Sequence, residues 1–252
     1  MNHVTYGFLL TIFAGLSTML GTIIIFLKNK NDNIIIGSLS FAAGVMLTVS
    51  ITDLIPESFG LLHNIFPIFP TILYILIFIV TGIIISMTID KYLPDNIESN
   101  TNHKGLYRVG LFSMLAIILH NIPEGIATFM ATNSSITLGI SLAIAIALHN
   151  IPEGISISVP IYYATGSRLK ALFYTFISGI SEPFGAVLTY VFLSQFINDR
   201  IMGFLFSLIA GIMTHIALFE LLPTSKRYGK LKITAIWFVI GVAFMVINHF
   251  LF

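Results

Sequence analysis

Apolar residues along this chain collect into eight long runs separated by short polar breaks. A helix rises about 1.5 Å per residue, so roughly 20 apolar residues cross a bilayer core of about 30 Å. The runs fall at 4–27, 35–58, 68–89, 107–131, 136–162, 169–196, 201–223 and 232–251, and each predicts one membrane-crossing helix. The fold class expected is an all-α polytopic membrane protein with eight transmembrane helices. No break is long enough for a soluble domain, so residues 1–252 read as a single transmembrane domain. The longest break, 90–106, is polar from Asp95 to Lys104 and reads as a flexible cytoplasmic loop whose His103 is solvated.

The placement of charge orients the helices. Lys28, Lys30, Lys91, Lys104, Arg108, Arg168, Lys170, Lys226, Arg227, Lys230 and Lys232 all lie at odd-numbered breaks, and only Arg200 lies at an even one. Basic residues favour the cytoplasmic side, which puts both termini outside and the protein in the cytoplasmic membrane. The first run has no basic residue before it and is followed by Lys28 and Lys30, so it reads as a helix with its N-terminus outside rather than a cleaved signal. Composition agrees: 56% of residues are hydrophobic and only 9% charged, whereas a soluble domain carries about 25% charged residues. At a net charge of +1 no nucleic-acid partner is expected; the partners are the bilayer and whatever the buried polar groups bind. Cysteine is absent, which excludes disulfides and thiolate ligands.

Two of the runs carry the same polar hexapeptide, His-Asn-Ile-Pro-Glu-Gly, at 120–125 and 149–154. On a helix, His120 and Glu124 are four apart and share a face, with Asn121 flanking it; His149, Asn150 and Glu153 repeat the donor set. Imidazole, amide oxygen and carboxylate coordinate divalent cations. Such groups are expensive at the membrane centre and are kept there for function. Pro123 and Pro152 have no N–H to donate to the carbonyls of Leu119 and Leu148, which frees an acceptor and bends each helix. Gly125 and Gly154 remove bulk beside the carboxylates. One copy alone would read as a hydrogen-bonded histidine near a proline kink; two at equal depth on adjacent helices predict one composite metal site.

A fainter echo links the second and seventh runs. Ala43-Gly44-Val45-Met46 precedes Asp53, Pro56 and Ser58 as Ala210-Gly211-Ile212-Met213 precedes Glu220, Pro223 and Ser225. With the hexapeptides on the fourth and fifth helices, this gives a 3+2+3 arrangement whose outer triplets run in opposite directions. Inverted repeats around midplane ligands are the architecture of transporters. Glu182, near the middle of the sixth run, either stays protonated through desolvation or faces the same cation; the second is the working expectation. Asp53, Glu57, His215 and Glu220 extend a polar pathway to either side, or snorkel to headgroup water. Met46 is added as a soft donor. His3, His63 and His249, near the outer face, read as incidental, the alternative being that they help to collect cations. Small residues such as Gly139 and Gly179 are compatible with a homodimer.

These residues resemble the ZIP (Zrt/Irt-like) family of divalent-metal transporters, and its bacterial ZupT- and GufA-like branch most closely. The likeness covers the whole chain and rests on the doubled hexapeptide and on the Ser-Phe-Ala-Ala-Gly-Val-Met run, 40–46. It implies a binuclear midplane site: His120, Asn121 and Glu124 from the fourth helix, His149, Asn150 and Glu153 from the fifth, Glu182 from the sixth. It also implies no prosthetic group, with the metal as cargo. The His-rich loop common in the family is reduced here to His103. Nitrogen and oxygen donors suit Zn²⁺ first, with Fe²⁺, Mn²⁺, Co²⁺ and Cd²⁺ tolerated. The expected function is uptake, not catalysis, with protonation of Glu124, Glu153 or Glu182 aiding release. The alternative is an intramembrane zinc-dependent hydrolase. That chemistry needs a general base as in His-Glu-x-x-His, and this chain has Asn where that motif has Glu.

Overall fold

The structure is a computed structural model and describes residues 2–27, 31–93, 105–193 and 196–251. Lys28, Lys30, Lys104, His103 and most of the 90–106 loop lie outside the described residues. Among the described residues, eight helices are long and apolar enough to cross a membrane: α1 (His3–Phe26), α2 (Asp32–His63), α3 (Ile68–Tyr92), α4 (Leu106–Ser134), α5 (Ile136–Thr165), α6 (Arg168–Phe192), α7 (Asp199–Lys226) and α8 (Leu231–Leu251).

Side chains outside the apolar runs set where several helices begin. Asn2, Asn31, Ser135, Ser167 and Asn198 each accept a hydrogen bond from the backbone N–H three residues on. Each such cap is worth about 1 kcal/mol. The capped turns carry α2 and α7 back to Asp32 and Asp199, ahead of the apolar windows. α5 closes at Gly166, whose φ of 69° is a left-handed conformation that glycine adopts without strain.

Among the described residues, four segments depart from regular α-geometry. α1 tightens into a 3₁₀ helix over Thr18–Phe26, while wide π-turns occupy Ser50–Leu54 in α2, Thr189–Leu193 at the end of α6 and Ile216–Leu221 in α7. The π-turns of α2 and α7 run directly into Pro56 and Pro223. Proline has no N–H for the preceding turn, and a wider turn absorbs the missing bond.

The helices pack in two groups. α1, α4, α5 and α6 pack on one another; α2 packs on α8, α3 on α7, and the second half of α2 also on α7. α2 against α5 and α4 against α7 join the groups. Within each group, helices approach at reciprocal glycine crossings. A Cβ at Gly44 would strike the carbonyl oxygen of Phe238, and one at Gly241 that of Phe41. Gly82 faces Leu208 and Gly211 faces Ile79 in the same way; so do Gly21 with Ile151, Gly154 with Thr18, Gly125 with Glu182 and Gly185 with Ile122. In every case the carbonyl struck lies three residues before the partner glycine, the backbone-to-backbone contact that small residues permit in membrane helices.

Gly179 meets Gly15 of α1, and Gly139 meets the side chain of Thr132. The two glycines named as compatible with a homodimer therefore make contacts inside one chain, where each lets a neighbouring backbone or side chain close in.

Hydroxyls add two further ties between α2 and α7. Ser40 Oγ and Ser225 Oγ are 2.7 Å apart, and Ser58 Oγ and Ser207 Oγ are 2.6 Å apart. α3 and α8 turn most of their apolar surface outward, while α2 is mostly enclosed. The largest buried side chains, Phe112, Ile117, Ile157 and Ile161 among them, fill the space between α4 and α5 and their neighbours.

Candidate metal-binding site

The two hexapeptides meet at the centre of the α1/α4/α5/α6 group. Glu124 Oε1 is the hub: His149 Nε2 approaches it at 2.8 Å and His120 Nε2 at 3.1 Å. His120 Nε2 also lies 3.2 Å from Glu153 Oε1, and the two imidazole rings are 6.1 Å apart between centroids. Donor atoms of His120, Glu124 and His149 all fall within 4.8 Å of one another. All four residues are buried.

Helix periodicity accounts for the intra-helix contact of His120 and Glu124. The contact across helices comes from α4 packing on α5, and Gly125 and Gly154 bring α6 and α1 to van der Waals distance beside the carboxylates. Gly125 rests on the carbonyl of Glu182, so the sixth-helix carboxylate is positioned by the residue following Glu124.

The two asparagines are held from behind. Asn121 Nδ2 donates to the Ser178 carbonyl at 3.1 Å; Asn150 Nδ2 donates to the Ala14 carbonyl at 3.0 Å and to Glu182 Oε2 at 2.9 Å. Each amide thus uses its nitrogen on a neighbouring helix and keeps its oxygen as a donor for something else. Asn121 Oδ1, Asn150 Oδ1, Glu124 Oε2, both Glu153 oxygens, Glu182 Oε1 and His120 Nε2 are buried and have no hydrogen-bond partner; the short His120 contacts are not aligned as hydrogen bonds. Buried carboxylates are costly unless a positive charge compensates them. No Lys or Arg occurs within either hexapeptide or beside Glu182. The donor set matches a divalent cation held by nitrogen and oxygen.

The remaining expected residues lie apart from this cluster. Met46 is fully buried in the apolar core of α2. Asp53 sits in the α2 π-turn, with His249 Nδ1 at 2.6 Å from its Oδ1 and Thr52 Oγ1 donating to it at 3.2 Å. Glu57 is exposed. His215 Nδ1 bonds Ser86 Oγ at 2.9 Å, and its ring stacks on Phe219. Glu220 is half-buried in the α7 π-turn. Of the three histidines near the outer face read as incidental, His3 Nδ1 reaches the carbonyls of Thr132 and Asn133 and His63 stacks on Phe59. His249 departs from that expectation: it is the partner of Asp53. The carbonyls of Ala14 and Ser178, which orient the asparagines, left no trace in the sequence, since every residue has one. Asn248, buried in α8, was missed by the sequence reading, although an amide within an apolar run was the signal for it.

Fold and site together define a multi-pass membrane protein with a buried, cation-ready centre shared by two adjacent spans. The family model of ZIP zinc transporters matches residues 95–249. The zinc transporter ZupT of Clostridium perfringens is 40% identical over 278 residues, covering 100% of this chain and 98% of its own. That of Chlorobaculum parvum is 42% identical over 265 residues (100% and 99% covered), and that of Campylobacter jejuni 38% over 280 (98% and 96%). The chain belongs to the ZIP transporter family, as a ZupT-like member. It is a transporter rather than the hydrolase considered as the alternative.

Proposed function

We propose that this protein carries divalent transition metals into the cell across the cytoplasmic membrane, zinc first, with iron, manganese, cobalt and cadmium as further cargo. His120, Asn121, Glu124, His149, Asn150, Glu153 and Glu182 hold the cargo, as a binuclear site bridged by carboxylate. The observation that carries this reading is the convergence of both histidines on one oxygen of Glu124. The name shared by the relatives supports zinc. Three carboxylates balance most of the charge of two dications. The asparagine oxygens offer neutral donors that loosen the grip, as a cargo site needs.

The helices form a 3+2+3 inverted repeat with both termini outside. Several correspondences support it. Glycine crossings occur in matched pairs: α2 with α8 resembles α7 with α3, and α1 with α5 resembles α6 with α4. The hydroxyl ties match too, since Ser40 and Ser58 of α2 stand to Ser225 and Ser207 of α7 as the repeat demands. The π-turns before Pro56 and Pro223 complete the set. Asp53, Glu57, Met46, His215 and Glu220 line the routes to and from the centre.

Purified protein in liposomes tests the proposal. Zinc influx should be saturable, and Glu124→Ala together with Glu153→Ala should abolish it. Influx that survives the double substitution would sink the site assignment.

A further inference from the structure

The pairing of Asp53 with His249 joins the π-turn of α2 to the last turn of α8 at the mouth of the protein. Both side chains are partly open, at 31% and 44% relative exposure. Their neighbour Asn248 is only 3% exposed. Its Nδ2 donates to the Ala145 carbonyl of α5 at 3.4 Å and to Met245 Sδ at 3.6 Å. Its Oδ1 is buried with no partner at all. An unsatisfied buried acceptor is destabilising, and a leucine there would avoid that cost.

Helix geometry connects these groups. Asn248 and His249 stand three and four residues after Met245, so each flanks it on α8 while the two are turned about 100° from one another, and their bonds show where each points. His249 reaches α2, and Asn248 reaches α5. Ala145 lies one helical turn from His149 on α5 and on the same face. The stripe therefore runs from the open Asp53–His249 pair, along the seam of α2, α5 and α8, to the turn of α5 that ends at a midplane histidine. Carboxylate, imidazole, amide oxygen and thioether together favour a borderline transition metal over Mg²⁺ or Ca²⁺.

We propose that Asp53, Asn248 and His249 form a receiving site for the hydrated dication at the outer mouth, from which it passes beside Met245 to His149. This rests on the transport reading and its orientation. The Asp53–His249 contact is then the resting state of two ligands that part around the ion, and Asn248 Oδ1 is a preformed third donor. The ion exchanges water for protein donors at the mouth before it reaches the enclosed centre.

The test is zinc influx into liposomes carrying the full chain, with KM and maximal rate separated. Asn248→Leu and His249→Leu should each raise KM about tenfold, the low end of what losing a supporting metal contact costs, with the maximal rate changed less than twofold. Asn248→Asp keeps an oxygen donor and should transport with KM at or below that of the parent. A KM unchanged in both leucine variants overturns the proposal. So does an Asn248→Asp variant as impaired as Asn248→Leu, which would mark the residue as structural. Binding of zinc to the midplane site of detergent-solubilised protein serves as the control. It should be unchanged in these variants and lost in Glu124→Ala. Loss in Glu124→Ala without the KM effect sinks only the receiving site; absence of influx in the parent protein sinks the transport reading with it.

Discussion

Gly125→Ala is the substitution whose outcome the packing decides most sharply. Away from any contact, replacing a helical glycine by alanine stabilises by about 0.5–1 kcal/mol through helix propensity. At Gly125 a Cβ would land on the carbonyl oxygen and carbonyl carbon of Glu182, closer than side-chain atoms ever sit to backbone. The helix backbone has no rotamer to change, so α6 must move away from α4. Overpacking of this kind costs about 1–3 kcal/mol, which exceeds the propensity gain. The functional cost should be larger than the stability cost. The residue displaced is Glu182, whose carboxylate accepts from Asn150 at 2.9 Å, and the two belong to the proposed ligand set. A displacement near 1 Å in a positioned site costs on the order of a hundredfold in rate. The expected result is a protein melting a few degrees lower but folded, with zinc influx reduced at least tenfold. Gly60→Ala is the matched control, because nothing lies within 4 Å of a Cβ there; it should leave influx unchanged and melt at or above the parent temperature. Influx at the parent rate in Gly125→Ala would refute the claim that this contact sets the site geometry.

Zinc should raise the melting temperature of the solubilised parent; at a hundred times Kd the stabilisation is about 2.7 kcal/mol, and Glu124→Ala should show no shift, read by differential scanning fluorimetry. Asn150→Leu removes the donor to Glu182 and to Ala14, and should weaken zinc binding by about 10–100-fold in isothermal titration, as loss of an orienting contact does. Ser58→Ala and Ser207→Ala each break the same 2.6 Å bond between α2 and α7; each should cost about 1 kcal/mol, and the double variant should cost less than the sum, as a double-mutant cycle in denaturation would show. Tyr228, outside the spans, has its ionisation pushed up to about 12 by burial and by the nearby Asp32, so its share of the phenolate absorbance should be missing from an alkaline titration up to pH 11.

Much of this protein follows from local pattern. Eight apolar runs of bilayer length leave a backbone no alternative to helix in lipid, since every N–H and C=O must be satisfied within the segment. The doubled hexapeptide puts a histidine and a carboxylate on one face of each of two helices by periodicity alone, and the isolated carboxylate in the middle of the sixth run adds Glu182. The matched residues around Gly44 and Gly211 suggested an inverted repeat, which stands as part of the proposal. What periodicity cannot supply is which faces meet. That both histidines close on the same Glu124 oxygen depends on α4 and α5 crossing at one depth and angle. The asparagines turn their oxygens inward because carbonyls of α1 and α6, invisible in the sequence, claim their nitrogens. Gly139 and Gly179 offered surfaces fit for any neighbour, and only the packed chain assigned them to Thr132 and Gly15. His249 read as a stray surface residue until α8 was laid against α2. A sequence fixes the distances between groups along one helix, whereas distances between helices come from the balance of all contacts at once, and the metal-ready centre is built from the second kind.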